Sequence, residues 1–164
     1  MEKLVEKIDE YNIFNFILPG LIFTYLLKYY VGIDIFQESL IEMIFIYYFI
    51  GSIISRIGSV IIEKILIKCK FIEYAPYGEY IKANEKDKKI SQLLIINNMY
   101  RTICSGFILL LVIKIIKELF SKWNLSMCIG NTIGIITIML LYLFSYRKQT
   151  KYIKKGLGLT NNKK

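Results

Sequence analysis

"IYYFIGSIISRIGSVIIEKILIK", residues 46–68, decides the fold. It is apolar nearly throughout, yet it carries Arg56 among glycines and serines. A helix crosses the hydrocarbon core of a bilayer in about 20 residues, which places a span at 40–60 and Arg56 close to one end of it. There the side chain snorkels to the headgroups. At mid-bilayer the same guanidinium costs roughly 2.5–3.5 kcal/mol on insertion scales, and near the interface that penalty largely disappears.

Working outward, three more apolar runs predict spans at 12–31, 102–121 and 127–146. Charges collect between them, at 1–10, 63–101 and 147–164. A hydrophobic content of 55% with mean hydropathy +0.45 is too apolar for a water-soluble fold of 164 residues. The expected architecture is therefore all-α: one polytopic membrane domain of four transmembrane helices over residues 1–164. A short helical cytoplasmic segment, 64–101, joins helices two and three, and a basic cytoplasmic tail covers 147–164. The acidic N-terminus lacks a basic n-region and a small-residue cleavage site, so the first span is expected to stay uncleaved. Pro19–Gly20 predicts a kink in that span. Asn12, Asn15, Asn97 and Asn98 are expected to hydrogen-bond between helices. In the central segment "APYG", 75–78, predicts a turn, and "YIKANEKDKKISQLLIINNMYR" is compatible with one helix.

Lysine and arginine counts set the orientation. Loop 32–39 has none and the loop after span three has only Lys122, whereas residues 64–101 carry eight and the tail seven. Both termini and the central segment are thus expected to face the cytoplasm. The net charge of +9 flanks apolar spans and accompanies no zinc spacing or RNP-like motif, so nucleic acid is not an expected partner. Membrane lipids are.

The chain has nineteen lysines and three arginines, and Arg56, Arg101 and Arg147 each fall at the cytoplasmic boundary of a different span. A planar guanidinium grips phosphate with two parallel hydrogen bonds. The three therefore anchor lipid phosphates, share one anionic-ligand site at the inner mouth of the bundle, or bond helix to helix. Gly51, Ser55 and Ser59 recur every four residues and form a helix-packing seam, within one chain or between chains. Lys114 and Glu118 are spaced to pair on one helix face, with Lys117 beside them. These three either snorkel toward the outer interface or line a polar seam or pore with Asn131 and Thr132.

Cys69, Cys104 and Cys128 have no metal-ligand spacing, and a disulfide is not expected across the two sides of a membrane. No histidine is present, so zinc hydrolysis and a His-based relay have no candidate residues. No phosphate loop stands in a strand–turn–helix context. Metal, cofactor and catalytic residues are all expected to be none, and the protein is expected not to be an enzyme.

Three stretches, "YYFIGSIISRIGSVIIE" (47–63), "INNMYRT" (96–102) and "FSYRKQTKYI" (144–153), resemble a group of small four-span bacterial membrane proteins found among phage-defence genes. The resemblance implies a membrane effector that damages the envelope when activated, and it brings no catalytic residue with it. The functional expectation is a self-associating inner-membrane protein that perturbs membrane integrity when triggered through a cytoplasmic partner. The alternative is a non-catalytic anchor or scaffold for such a partner.

Overall fold

The computed structural model describes residues 10–87, 89–122 and 127–161, except the side chains of residues 10, 122, 127–129, 131–132 and 155–161. Every regular element among them is helical. We number five: α1 (Ile13–Val31, continuing the turn Glu10–Asn12), α2 (Leu40–Lys68), α3 (Tyr77–Lys86), α4 (Lys89–Lys122) and α5 (Met127–Asn161). Among the described residues, α1 and α2 are long and apolar enough to cross a membrane, with hydropathy 1.3 and 1.7. These are two helices, against the four spans expected. The other two apolar runs lie inside α4 and α5, which extend well beyond 102–121 and 127–146. The tail after residue 146 thus continues α5 as helix up to Asn161.

Pro19 has no N–H for the carbonyl four residues back. The chain accommodates it with a π segment over Ile13–Ile17, followed by α-helix Leu18–Leu26 with the proline in its first turn. A second π segment, Leu27–Val31, closes α1, and Gly32 ends it in the left-handed conformation with φ 72°. The third, Gly58–Ile62, sits inside α2 between Arg56 and Glu63. The candidate helix through residues 80–101 is broken at Asp87, which leaves helical geometry with φ −139°. Its Oδ1 accepts the Lys89 N–H at 2.9 Å, so the aspartate starts α4 while ending α3. "APYG" proves to be a helix start, with Pro76 in the N-cap position of α3.

The packed centre joins α1, α2 and α4 through Phe23, Leu27, Val31, Ile54 and Leu110. Gly20 and Gly51 bring α1 and α2 together backbone to backbone. A β-carbon on Gly51 would run into the Phe16 carbonyl, and one on Gly20 into that of Tyr47. Gly51, Ser55 and Ser59 are all buried, so the small-residue seam is occupied from within the chain.

Small hydroxyls fill the rest of the interior. Thr24 donates to Gly20 O, Thr102 to Asn98 O, Ser105 to Arg101 O and Ser145 to Leu141 O, each four residues back at 2.7–2.9 Å. Asn15 does likewise, its amide donating to Tyr11 O at 3.1 Å. The expected bond from Asn15 to another helix is therefore made inside α1, because a carbonyl one turn back is always in reach.

Outside the packed interior the large apolar residues face outward. Phe45, Phe49, Leu111, Ile115, Ile135 and Leu143 are exposed while Asn15, Thr24, Ser55, Thr102 and Ser105 are fully buried.

Candidate anionic-ligand site at the Glu63 end of the bundle

Glu63 lies one turn past the predicted end of span two, in "IIEKILIK", where it reads as part of a solvated helix face. It is only 8% exposed. A buried carboxylate needs partners to offset its lost hydration, and two cations from distant sequence supply them. Arg101 Nη1 on α4 donates to Glu63 Oε2 at 2.7 Å, and Lys148 Nζ on α5 donates to Oε1 at 2.8 Å. Lys148 also donates to the Ser59 carbonyl at 2.9 Å and to Ser59 Oγ at 2.8 Å. One carboxylate thus ties α2, α4 and α5 together. Close packing brings them within reach: a β-carbon on Gly58 would meet Ser105 Oγ at 2.6 Å and Arg101 Cγ at 3.3 Å.

Beside this cluster is a cavity of about 720 Å³. Its charged lining is Arg56, Glu63, Arg101 and Lys148; Tyr11, Tyr74, Tyr77, Tyr80 and Tyr152 supply aromatic surface. The rings of Tyr77 and Tyr152 lie 5.9 Å apart, joining α3 to α5. Burial first, and then the charge of Glu63, raises the Tyr152 phenol above its usual range. It therefore stays neutral, and a hydrogen-bond donor, at any pH a cell meets. Lys148 Nζ stands 5.9 Å from the Tyr152 ring centre.

Of the three arginines read as one group, Arg56 and Arg101 line this cavity and Arg147 does not. Arg147 is exposed, and Lys148 takes the third position. The α5 stripe Leu141, Ser145, Lys148 and Tyr152, at spacings of four, three and four, is the pattern that selects it. Arg56 makes no hydrogen bond or ion pair among the described residues.

The polar positions at the opposite end separate. Lys117 Nζ donates to the Val31 carbonyl at 2.6 Å, so it caps the last turn of α1. Lys114 and Glu118 are exposed, and the predicted pair between them is not among the ion pairs of the described residues. The side chains of Asn131 and Thr132 lie outside the described residues. Nearby, Lys28 pairs with Asp34 at 2.8 Å, and this bond together with the Phe36 N–H holds the Asp34 carboxyl below its usual range. Lys117→Met should weaken the α1–α4 junction by about 1 kcal/mol, the scale of a charge at a helix C-terminus. The measurement is the unfolding midpoint in mixed detergent micelles, and an unchanged midpoint would remove the cap from the account.

Cys69 and Cys104 are free and exposed, and the Cys128 side chain lies outside the described residues. No group of three metal-ligating side chains occurs among the described residues. No family model, no curated protein and no solved structure matches the chain.

Proposed function

We propose that this is a four-span protein of the bacterial cytoplasmic membrane with both termini inside the cell. In this reading it is a self-associating effector that perturbs membrane integrity when triggered at its cytoplasmic face, in the phage-defence setting its resemblance implies. The observation that carries the membrane assignment is the inverted surface, with hydroxyls and amides buried and large apolar side chains outside. Lipid tails solvate such a surface, and water does not. Residues 127–146 contain no charge, and these 20 residues of helix span about 30 Å, the thickness of the hydrocarbon core. Span three places Lys117 and Glu118 at its outer end, beside the α1 terminus.

The trigger acts at the Glu63 cluster, which fastens three helices at the cytoplasmic end with charges that a ligand or partner can compete for. Because the small-residue seam is occupied within the chain, self-association uses the outward half of α5. There Ile133, Ile135 and Met139 are exposed.

Two measurements test this. Cysteines placed at Ser39 or Asn124 should react with an impermeant maleimide from outside spheroplasts, and cysteines at Lys86 or Asn161 should not. Outside labelling at Lys86 would reverse the orientation. Induced expression should depolarise cells, read with a potential-sensitive dye, under at least one triggering condition such as phage infection. If no condition depolarises them at verified membrane levels, the anchor or scaffold reading takes over, with the basic segments holding anionic lipid.

A further inference from the structure

The donor inventory of the inner cavity is uneven. An ammonium has three protons to give, and Lys148 has placed them on Ser59 O, Ser59 Oγ and Glu63 Oε1. Arg101 uses Nη1 on Glu63, while its Nε is buried with no partner in range. The Arg56 side chain makes no hydrogen bond or ion pair among the described residues. Tyrosine hydroxyls and the Asn98 and Gln149 amides also line the cavity, but its unspent cationic donors belong to two guanidinium groups, one on α2 and one on α4. Charge is uneven as well. The lining sets three cations, Arg56, Arg101 and Lys148, against one carboxylate, Glu63, an excess of two positive charges.

A phosphate carries about −1.5 to −2 charge at neutral pH and presents the acceptor oxygens that a guanidinium fork matches. It closes both accounts at once. The space of about 720 Å³ lies within the range of small-molecule sites and far exceeds a bare phosphate ion. The rest of the ligand meets tyrosines from α3, α5 and the 69–76 loop, whose flat rings suit a planar group and whose hydroxyls give it polar contacts. We propose that the cavity binds a phosphate-bearing small molecule, its phosphate held between Arg56 and Arg101 and its organic part against the tyrosines. This rests on the reading of the inner end as the trigger-receiving face, and it names the chemistry of the trigger. Once bound, the phosphate competes with Glu63 for Arg101 and so draws on the bond that holds α4 to α2.

The phosphate has two possible sources, a soluble compound entering from the cytosol or a lipid headgroup entering from the inner leaflet. Purified full-length protein in phosphatidylcholine nanodiscs is titrated with inorganic phosphate and with adenosine diphosphate, and separately placed in nanodiscs containing phosphatidylglycerol. Binding is read by equilibrium dialysis and by the shift in melting temperature. We expect adenosine diphosphate to bind more tightly than inorganic phosphate. Arg56→Gln and Arg56→Lys should each weaken that binding about tenfold or more, because neither keeps the bidentate fork. The half-buried Arg56 side chain makes no hydrogen bond or ion pair among the described residues, so both variants should melt as wild type does without ligand. Tyr77→Leu should weaken the nucleotide and leave inorganic phosphate unchanged. Stabilisation by phosphatidylglycerol alone, again lost in Arg56→Gln, also supports the phosphate site and assigns it to lipid. The proposal is overturned if no probe binds, or if binding is the same in Arg56→Gln. None of these readouts uses depolarisation, so a failed ligand site and a failed effector assignment are distinguishable.

Discussion

Glu63→Gln should destabilise the folded chain by about 3 kcal/mol, because removing one member of a buried ion cluster strands the others. Glutamine keeps the shape and loses the charge. Arg101 and Lys148, whose side chains are 15% and 25% exposed, then face each other and the free Arg56 with no carboxylate between them. The expected readout is a lowered unfolding midpoint in mixed micelles. A cycle with Lys148→Met separates charge from packing. If stranded charge is the cause, the double variant recovers part of the loss; if Glu63 acts only by filling space, the two losses add. On the effector function proposed above, a variant that reaches the membrane but lacks the tie should depolarise cells without a trigger. Wild-type membrane potential at wild-type levels of Glu63→Gln would separate the cluster from activity.

Gly51→Ala is the second large effect. The position admits no β-carbon, since the Phe16 carbonyl occupies that space and backbone cannot rotate away as a side chain can. Overpacking of this kind costs about 1–3 kcal/mol, occasionally more, and a carbonyl in direct opposition belongs at the upper end. Gly20→Ala should match it, because Gly20 faces Tyr47 O across the same junction. The pair should be strongly non-additive: once α1 and α2 are forced apart, the second methyl finds room. Gly134→Ala is the control, with nothing near its β-carbon, and should be neutral or slightly stabilising through helix propensity. Retention in the membrane after heat treatment checks all four proteins. Equal loss in Gly51→Ala and Gly134→Ala would show a generic glycine effect and no tight junction.

Much of the helix layout is legible in sequence because apolar runs and their charged borders are local properties. The π segments are not. The first accommodates a proline at 19 and the third falls on small residues at 58 and 59, and periodicity at 3.6 residues encodes none of the three. The site was half legible. Arg56 and Arg101 could be picked out by residue chemistry alone, since arginine is rare here. The same chemistry groups Arg147 with them, as a lipid anchor or a site residue, but one residue along a helix turns the side chain by about 100°, and the buried stripe runs through Lys148. Glu63 was missed because its partners stand 38 and 85 residues away. Its neighbour Lys64 makes the stretch look like an ordinary polar face. The small-residue seam was recognisable as a seam, while its occupant, the Phe16 region of α1, depended on tertiary contact.

The inward-facing hydroxyls bear on motion as well as packing. Thr24, Thr102, Ser105 and Ser145 each spend their proton on their own helix, so displacing one helix along another breaks none of these bonds. Side-chain bonds that do cross between helices include Lys117 to Val31 at one end, the Glu63 cluster at the other, and Ser52 with Tyr142 between them. Hydrogen-bond resistance to shear is then concentrated in these fastenings, beside the steric interlock of α1 with α2 at Gly20 and Gly51. Force or binding energy applied at either end is then transmitted along whole helices and not dissipated residue by residue. Releasing one fastening changes how a helix sits over its full length.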